Sequence, residues 1–281
     1  MLTIVLAATI HVSVQARAVK PGELVLCAIT LPGHQDTVHV RAFGHDIAAY
    51  AVGDHEWRAL IGIDLDTKPG TYGVRVDAGG VTATEQLSVL PKKFPTRRLT
   101  VDENFVTPPA SAEGRIAADA KLLASTWAHS SPDRLWTDSF IRPVPQPANS
   151  AFGTRSIFNG KPRNAHGGAD FLSPAGTPIH APNAGRVVVA RDLYYSGNTI
   201  VIDHGLGMFS MLAHLSEIRV HEGDRVDEGQ VVGLVGATGR VTGPHLHWAV
   251  RANDARVDPL SLLAVLGPTP RASEPATRSK R

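Results

Sequence analysis

Three short stretches hold the side chains best able to do chemistry. His166-Gly167-Gly168-Ala169-Asp170 sets an imidazole and a carboxylate four residues apart across small residues, a spacing that can bend both onto one metal ion. His245-Leu246-His247 places two imidazoles at i and i+2, which on a strand project from one face into one cavity. His214 ends an apolar run in Leu212-Ala213-His214-Leu215-Ser216. Two imidazoles and one carboxylate make a three-ligand zinc site with its fourth position open, the catalytic rather than the structural pattern. Zinc held this way lowers the pKa of bound water from ~15.7 to ~7 and polarises a carbonyl. Such chemistry also needs a proton carrier nearby, and spare histidines suit that task. Singly these signals are weak, since a lone His on an apolar strand is usually a hydrogen-bonded core residue. Their weight comes from occurring together, in order, in one segment patterned for strands.

That segment runs from Ala151 to Leu266 and reads as β throughout. Arg186 to Ala190, Thr199 to Ile202, Met208 to Leu212, Gln230 to Val235 and His245 to Val250 are apolar or alternating runs between glycines. Residues 9–90 alternate in shorter runs, among them Ile10 to Val14, Thr37 to Phe43 and Tyr72 to Val76, punctuated by Pro21-Gly22, Pro69-Gly70 and Gly79-Gly80. Regular short strands with turn signals suggest an immunoglobulin-like β-sandwich. Residues 91–139 read as a linker with prolines, a basic cluster (Lys92-Lys93, Arg97-Arg98) and one helix over Ala112 to Ala128. Its face would be Ile116, Ala120, Leu123 and Trp127. Residues 140–150 are again proline-rich, marking a boundary that few contacts should cross. The expected order is therefore a β-sandwich at 9–90, a helical linker at 91–139 and an all-β catalytic domain at 140–266, with a polar, disordered tail at 267–281.

Composition sets wider limits. The chain has 281 residues, 43% hydrophobic and 19% charged, with a net charge of +2; that balance gives no argument for nucleic-acid binding. The single cysteine, Cys27, follows a bulky Leu, which suits a core strand better than a lipoprotein acceptor. Leu2 to Ala8 reads either as a signal-peptide remnant or as a first strand. No apolar stretch reaches the ~18 residues of a transmembrane helix.

The chain also resembles a known family, the lysostaphin-like (LytM-type) zinc endopeptidases, over about residues 150–265. The likeness rests on Phe158-Asn159-Gly160, His166 to Phe171, Ala181-Pro182-Asn183-Ala184-Gly185-Arg186-Val187 and Gly197-Asn198-Thr199-Ile200-Val201-Ile202-Asp203-His204-Gly205. It continues in Ala213-His214-Leu215-Ser216, Gly236-Ala237-Thr238-Gly239 and Gly243-Pro244-His245-Leu246-His247. By this resemblance His166, Asp170 and His247 are the Zn2+ ligands, and His214 and His245 are the catalytic pair. The implied fold is mainly β, with a LytM-type peptidase domain. The implied reaction is hydrolysis of peptide cross-links in bacterial peptidoglycan, outside the cytoplasm; the sequence leaves the oligomeric state open, with a monomer as the expectation. The alternative is a non-catalytic peptidoglycan-binding regulator of other wall hydrolases.

Two further likenesses fail on chemistry. Val220 to Gln230 resembles a half-motif of biotinyl and lipoyl carriers, yet no lysine lies between Lys161 and Lys280 to accept the group. His221-Glu222 and His55-Glu56 lack the second His of an HExxH helix. His204 takes the plain reading of a strand-end residue, with a place beside the metal site as its alternative, and His180 and His221 read as loop residues. Asn198, Thr238 and Thr242 are candidates to line a groove, with no role fixed by spacing.

Overall fold

Alternating apolar residues in the first ninety positions form one continuous antiparallel ladder in the computed structural model. The structure describes residues 9–268 apart from Asp102, Asn104, Phe105, Asp138 and Ala151. The readings placed on Leu2 to Ala8 and on the tail beyond Pro268 lie outside these residues. Seven strands (His11–Ala16, Leu24–Thr30, His39–Ala42, His45–Ala51, Glu56–Gly62, Gly70–Ala78 and Val81–Val89) pair in the order first, second, fifth, fourth, third, sixth, seventh. The fourth strand pairs through Ala48 with His39 and through Ala49 to Ala51 with the fifth strand, so it passes from one sheet to the other. Between the sheets pack Val25, Ile29, Ile61, Val74, Val76 and Leu87. Cys27 lies in this core, as its apolar neighbours suggested, and burial pushes its thiol pKa up to about 12, so it is unreactive at neutral pH.

The second half is built on a sheet running Arg225–Val226, Gly185–Leu193, Gly197–Gly205, Met208–Ile218, Leu246–Ala252, Gly168–Phe171, Ala148–Ser150. Strand Leu246–Ala252 decides what this sheet presents. Leu246, Trp248, Val250 and Ala252 are buried, while His247, Ala249 and Arg251 alternate with them on the other face. The β pattern expected through Leu266 stops at Val257, and Pro259–Leu266 is a helix. Asp258 caps it by accepting the Leu260 N–H at 3.0 Å, and Pro259 stands at its first position. His180 also departs from its loop reading: it ends the strand Pro178–His180 and its Nδ1–H donates to Gly229 O at 2.7 Å.

The stretch between the halves is more structured than its prolines suggest. Thr96–Leu99 pairs in parallel with Arg155–Phe158, which pairs antiparallel with Lys161–Pro162. The helix spans Glu113–Trp127 and sets Leu122, Leu123 and Trp127 against Val189, Val201 and Phe209 of the second sheet. Ala120, expected on that face, is exposed. Asp119 takes the inward place instead, accepting the Tyr194 N–H at 2.7 Å.

Many contacts join the sandwich to the second half. Leu24, Leu26 and Leu60 share one core with Phe140, Trp248 and Leu262. Arg17 bridges Glu23 at 2.8 Å and Asp258 at 2.7 Å. The Asp258 N–H donates to Gly22 O at 2.8 Å, and Arg256 pairs with Asp64 at 2.7 Å and Asp66 at 2.8 Å. Leu24 has no exposed surface, so Leu24→Ala is expected to cost about 2–5 kcal/mol and to loosen both halves together. Urea unfolding followed by fluorescence would measure it. A loss under ~1 kcal/mol would mean that the shared core is not part of the folded state.

Candidate metal centre

Strand Leu246–Ala252 lies between Gly168–Phe171 and Met208–Ile218, with His247 opposite Asp170 on one side and Ala213 on the other. Directly paired residues share a face, so the Asp170 carboxylate and the His247 ring meet. Gly168 makes room for them: a Cβ there would lie 2.8 Å from His247 Cε1 and Nε2 and 2.4 Å from Trp248 O. His166 precedes this strand in a loop fixed by its own main chain, its N–H on Thr154 O at 2.9 Å and its carbonyl accepting the Gly153 N–H at 2.8 Å. Three ligand atoms converge as a result. His166 Nε2 is 3.0 Å from Asp170 Oδ1 and 3.1 Å from His247 Nδ1, and His247 Nδ1 is 2.9 Å from Asp170 Oδ1. The three side chains remain about a fifth open, at 18%, 21% and 17% exposure, so solvent reaches them.

The charges suit a cation. Burial pushes the Asp170 carboxyl up, but hydrogen bonds and charge from His166 and His247 win and hold it well below the usual carboxylate range. Burial pushes His247 down, with the neighbouring histidine charges acting the same way. An ionised carboxylate beside a ring kept neutral is the donor state a metal needs. These three residues form a group that could hold a metal ion.

His214 and His245 stand beside this cluster, and both are turned by carbonyls. His214 sits in the left-handed region at φ 69°, where its strand is irregular, a conformation uncommon outside glycine. Its N–H donates to Ser196 O at 2.9 Å and its Nδ1–H to Thr238 O at 3.0 Å. His245 Nδ1–H donates to Gly243 O at 2.9 Å. With each Nδ1 committed as donor, Nε2 of both rings is the proton-accepting atom; that of His245 lies 3.8 Å from Asp170 Oδ1. The two ring centroids are 4.8 Å apart, and His214 is 6.0 Å from His247. Burial, reinforced by the charges of His247 and His245, lowers the His214 pKa to about 4. It therefore stands as a neutral imidazole at pH 7.

The five histidine and aspartate positions singled out by spacing and resemblance thus come together. Thr238 gains a definite part that spacing did not reveal. Besides the carbonyl that orients His214, its hydroxyl accepts the Asn198 N–H at 2.9 Å and donates to Leu215 O at 2.8 Å, tying the loop before one strand to the irregular turn at His214. Thr242 is exposed, and His221 is a surface residue at 92%.

His204 lies in the core, with no exposed surface. Trp248 Nε1–H donates to Ser210 Oγ at 3.2 Å, the Ser210 hydroxyl donates to His204 Nε2 at 3.0 Å, and His204 Nδ1–H donates to Ala184 O at 2.8 Å. The chain of hydrogen bonds ends behind His247 through its neighbour Trp248. Burial drops the His204 pKa from 6.5 to about 4. The unfolded chain therefore takes up this proton before the folded one does, and the stability associated with it falls as pH drops from about 6.5 to about 4. Unfolding free energies at pH 7 and pH 5 are expected to differ more in the native protein than in His204→Gln, which does not titrate. Equal differences would show that His204 is not the acid-sensitive group.

Comparison with known proteins places this arrangement. Residues 164–259, which contain all five positions, match the model of peptidase family M23. A solved Pseudomonas aeruginosa protein designated peptidase M23 is 33% identical, covers 88% of this chain and is itself covered over 96% of its length, with a TM-score of 0.71. The chain belongs to peptidase family M23. That membership bears out the lysostaphin-type resemblance and extends the likeness through the N-terminal sheets. Among curated M23-like relatives, the peptidoglycan DD-endopeptidase ShyA of Vibrio cholerae is 49% identical over 83 residues, 30% of this chain and 19% of that protein. The DD-carboxypeptidase/endopeptidase Mpg of Neisseria meningitidis is 39% identical over 109 residues, 39% of this chain and 24% of that protein. The matched stretch thus spans a quarter or less of these relatives.

Proposed function

We propose that this M23 protein is a zinc-dependent endopeptidase that hydrolyses peptide cross-links of bacterial peptidoglycan outside the cytoplasm. The observation that carries the reading is the convergence of His166 Nε2, Asp170 Oδ1 and His247 Nδ1 within 2.9–3.1 Å of one another, beside two histidines that each offer a bare Nε2. His166, Asp170 and His247 would hold the zinc ion, two imidazoles and a carboxylate being a donor set that zinc takes in catalytic sites. When bound, zinc supplies a water that ionises near neutral pH and polarises the scissile carbonyl.

The chain's own residues do the rest. Asp170, ionised, balances the ion's charge. His214, neutral at pH 7 and fixed by Ser196 and Thr238, accepts a proton at Nε2 from the attacking water and can pass it to the departing amine. His245 Nε2 shares the same space and, once protonated, donates to the oxygen that gains charge. Names of the matched relatives support peptidoglycan as substrate and hence an extracytoplasmic site. No helix among the described residues is long and apolar enough to cross a membrane.

Incubation of the zinc-loaded protein with a cross-linked muropeptide dimer, followed by mass spectrometry, tests the proposal. The expected products are two monomers whose summed mass exceeds the dimer by one water. A dimer left whole by protein with a full metal site would defeat the endopeptidase reading and favour the regulator. Release of a terminal residue alone would reassign the protein as a carboxypeptidase.

A further inference from the structure

Arg98, from the basic cluster that the sequence places in a linker, lines a cleft in the folded chain. Register of the small sheet puts Thr96 opposite Arg155 and Arg98 opposite Ile157. Paired residues, and residues two apart, share a face, so Arg98 and Arg155 lie side by side on one face. That face lines a cleft of about 780 Å³ whose far wall is Arg251 and Arg256 of the second half. Arg163 completes it and stacks on Phe158, its guanidinium 5.8 Å from the ring centroid. Five arginines and one aspartate, Asp66, line the cleft.

Charge there is only partly balanced. Arg256 pairs with Asp64 and Asp66, and Arg251 with Asp254 at 3.3 Å. Arg98 and Arg155 are exposed and have no acidic partner among the described residues. A surface that gathers like charges without counter-charges attracts anions, and guanidinium groups suit carboxylates by paired hydrogen bonds.

The cleft adjoins the metal centre by two routes. Arg163, Asn164 and Ala165 line it and lead directly into His166. Arg251 is four residues from His247 on one extended strand and on the same face, roughly 13 Å away at ~3.3 Å per residue. Arg155 follows Thr154, whose carbonyl holds the His166 N–H. An extended peptide with its scissile bond at the metal centre would reach this cleft with groups a few residues away.

We propose that this arginine cleft is a substrate subsite that binds free carboxylates of an acidic peptide and selects it over an uncharged or amidated one. The inference deepens the proposed hydrolase function and rests on it. Arg98 and Arg155 provide the uncompensated charge, and Arg163 and Arg251 line the same cleft. Binding should weaken as salt screens exposed charges beyond ~8–10 Å.

The test uses a cross-linked muropeptide dimer with free carboxylates and its carboxamide counterpart. Steady-state cleavage by the zinc-loaded native protein is paired with equilibrium binding to zinc-loaded His214→Ala. We expect KM and Kd at least tenfold lower for the free acid. In Arg98→Ala/Arg155→Ala the gap should shrink below threefold, chiefly by a raised KM for the acid. Arg98→Glu/Arg155→Glu should reverse the preference, and Arg98→Lys/Arg155→Lys should keep part of it. Thermal midpoints check that each variant is folded. Equal constants for both dimers in the native protein, or an unchanged gap in the Ala and Glu variants, would overturn the subsite. Tight, acid-selective binding without any cleavage would support the cleft while defeating the hydrolase reading. Cleavage of both dimers with equal KM would do the opposite.

Discussion

His214→Ala is expected to retain its metal and lose roughly 10²–10⁴-fold in turnover, the usual contribution of a positioned proton carrier. His214 is not one of the three converging donors; its Nδ1–H is spent on Thr238 O, and its ring lies 4.8 Å from that of His245 and 6.0 Å from that of His247. Its pKa, lowered to about 4 by burial and by the charges of His247 and His245, keeps the ring unprotonated across the neutral range. Removing the ring takes away the acceptor and leaves His166, Asp170 and His247 in place. Zinc content by mass spectrometry beside kcat would separate the two roles. Near-native turnover at full zinc would show that His214 is not the base, and loss of zinc would make it a ligand. A gentler variant probes its orientation. Thr238→Val removes the hydroxyl that holds Asn198 and Leu215 but keeps the carbonyl that meets His214, so a smaller loss is expected, under ~10²-fold.

Asp170→Ala should have the other large effect, through the metal itself. Asp170 Oδ1 touches both His166 and His247 and is the only carboxylate in the cluster. Without it, imidazoles that are brought together have no anion between them, and a cation has two neutral donors. Removing a group that merely supports a metal ligand costs ~10–100-fold in affinity, so removing a ligand should cost more than that. Zinc occupancy is expected to fall from about one per chain to near none at micromolar zinc, with activity following it. A stoichiometric zinc retained by Asp170→Ala would place the metal elsewhere.

Local rules made the candidate metal residues legible. Parity on a strand brings His245 and His247 toward one cavity, and small residues let His166 and Asp170 turn together. What spacing could not show was a contact between distant segments. The Thr238 carbonyl that orients His214 lies 24 residues away, and the left-handed backbone at His214 has no glycine to announce it. The arginine cleft was hidden similarly: Arg97-Arg98 looked like a solvated linker because its pairing strand, Arg155–Phe158, lies far along the chain. Helix Pro259–Leu266 was masked by its apolarity; periodicity hardly separates a buried helix from a buried strand, although Asp258-Pro259 carried the capping signal. Prolines near residues 91–111 and 140–150 suggested a lightly crossed boundary, yet Leu24 and Leu60 belong to the same core as Trp248 and Leu262. Apolar strand residues do not disclose which neighbour they bury against.

The claim that hydrolysis depends on one metal held by His166, Asp170 and His247 is tested most directly by titrating metal-free protein with zinc while following cleavage of a cross-linked muropeptide dimer. Activity should be absent at the start, rise linearly and level off at about one zinc per chain. In His166→Ala and Asp170→Ala it should stay near zero across the same range. Full cleavage by the metal-free protein, or no cleavage once one zinc per chain is bound, would contradict the account.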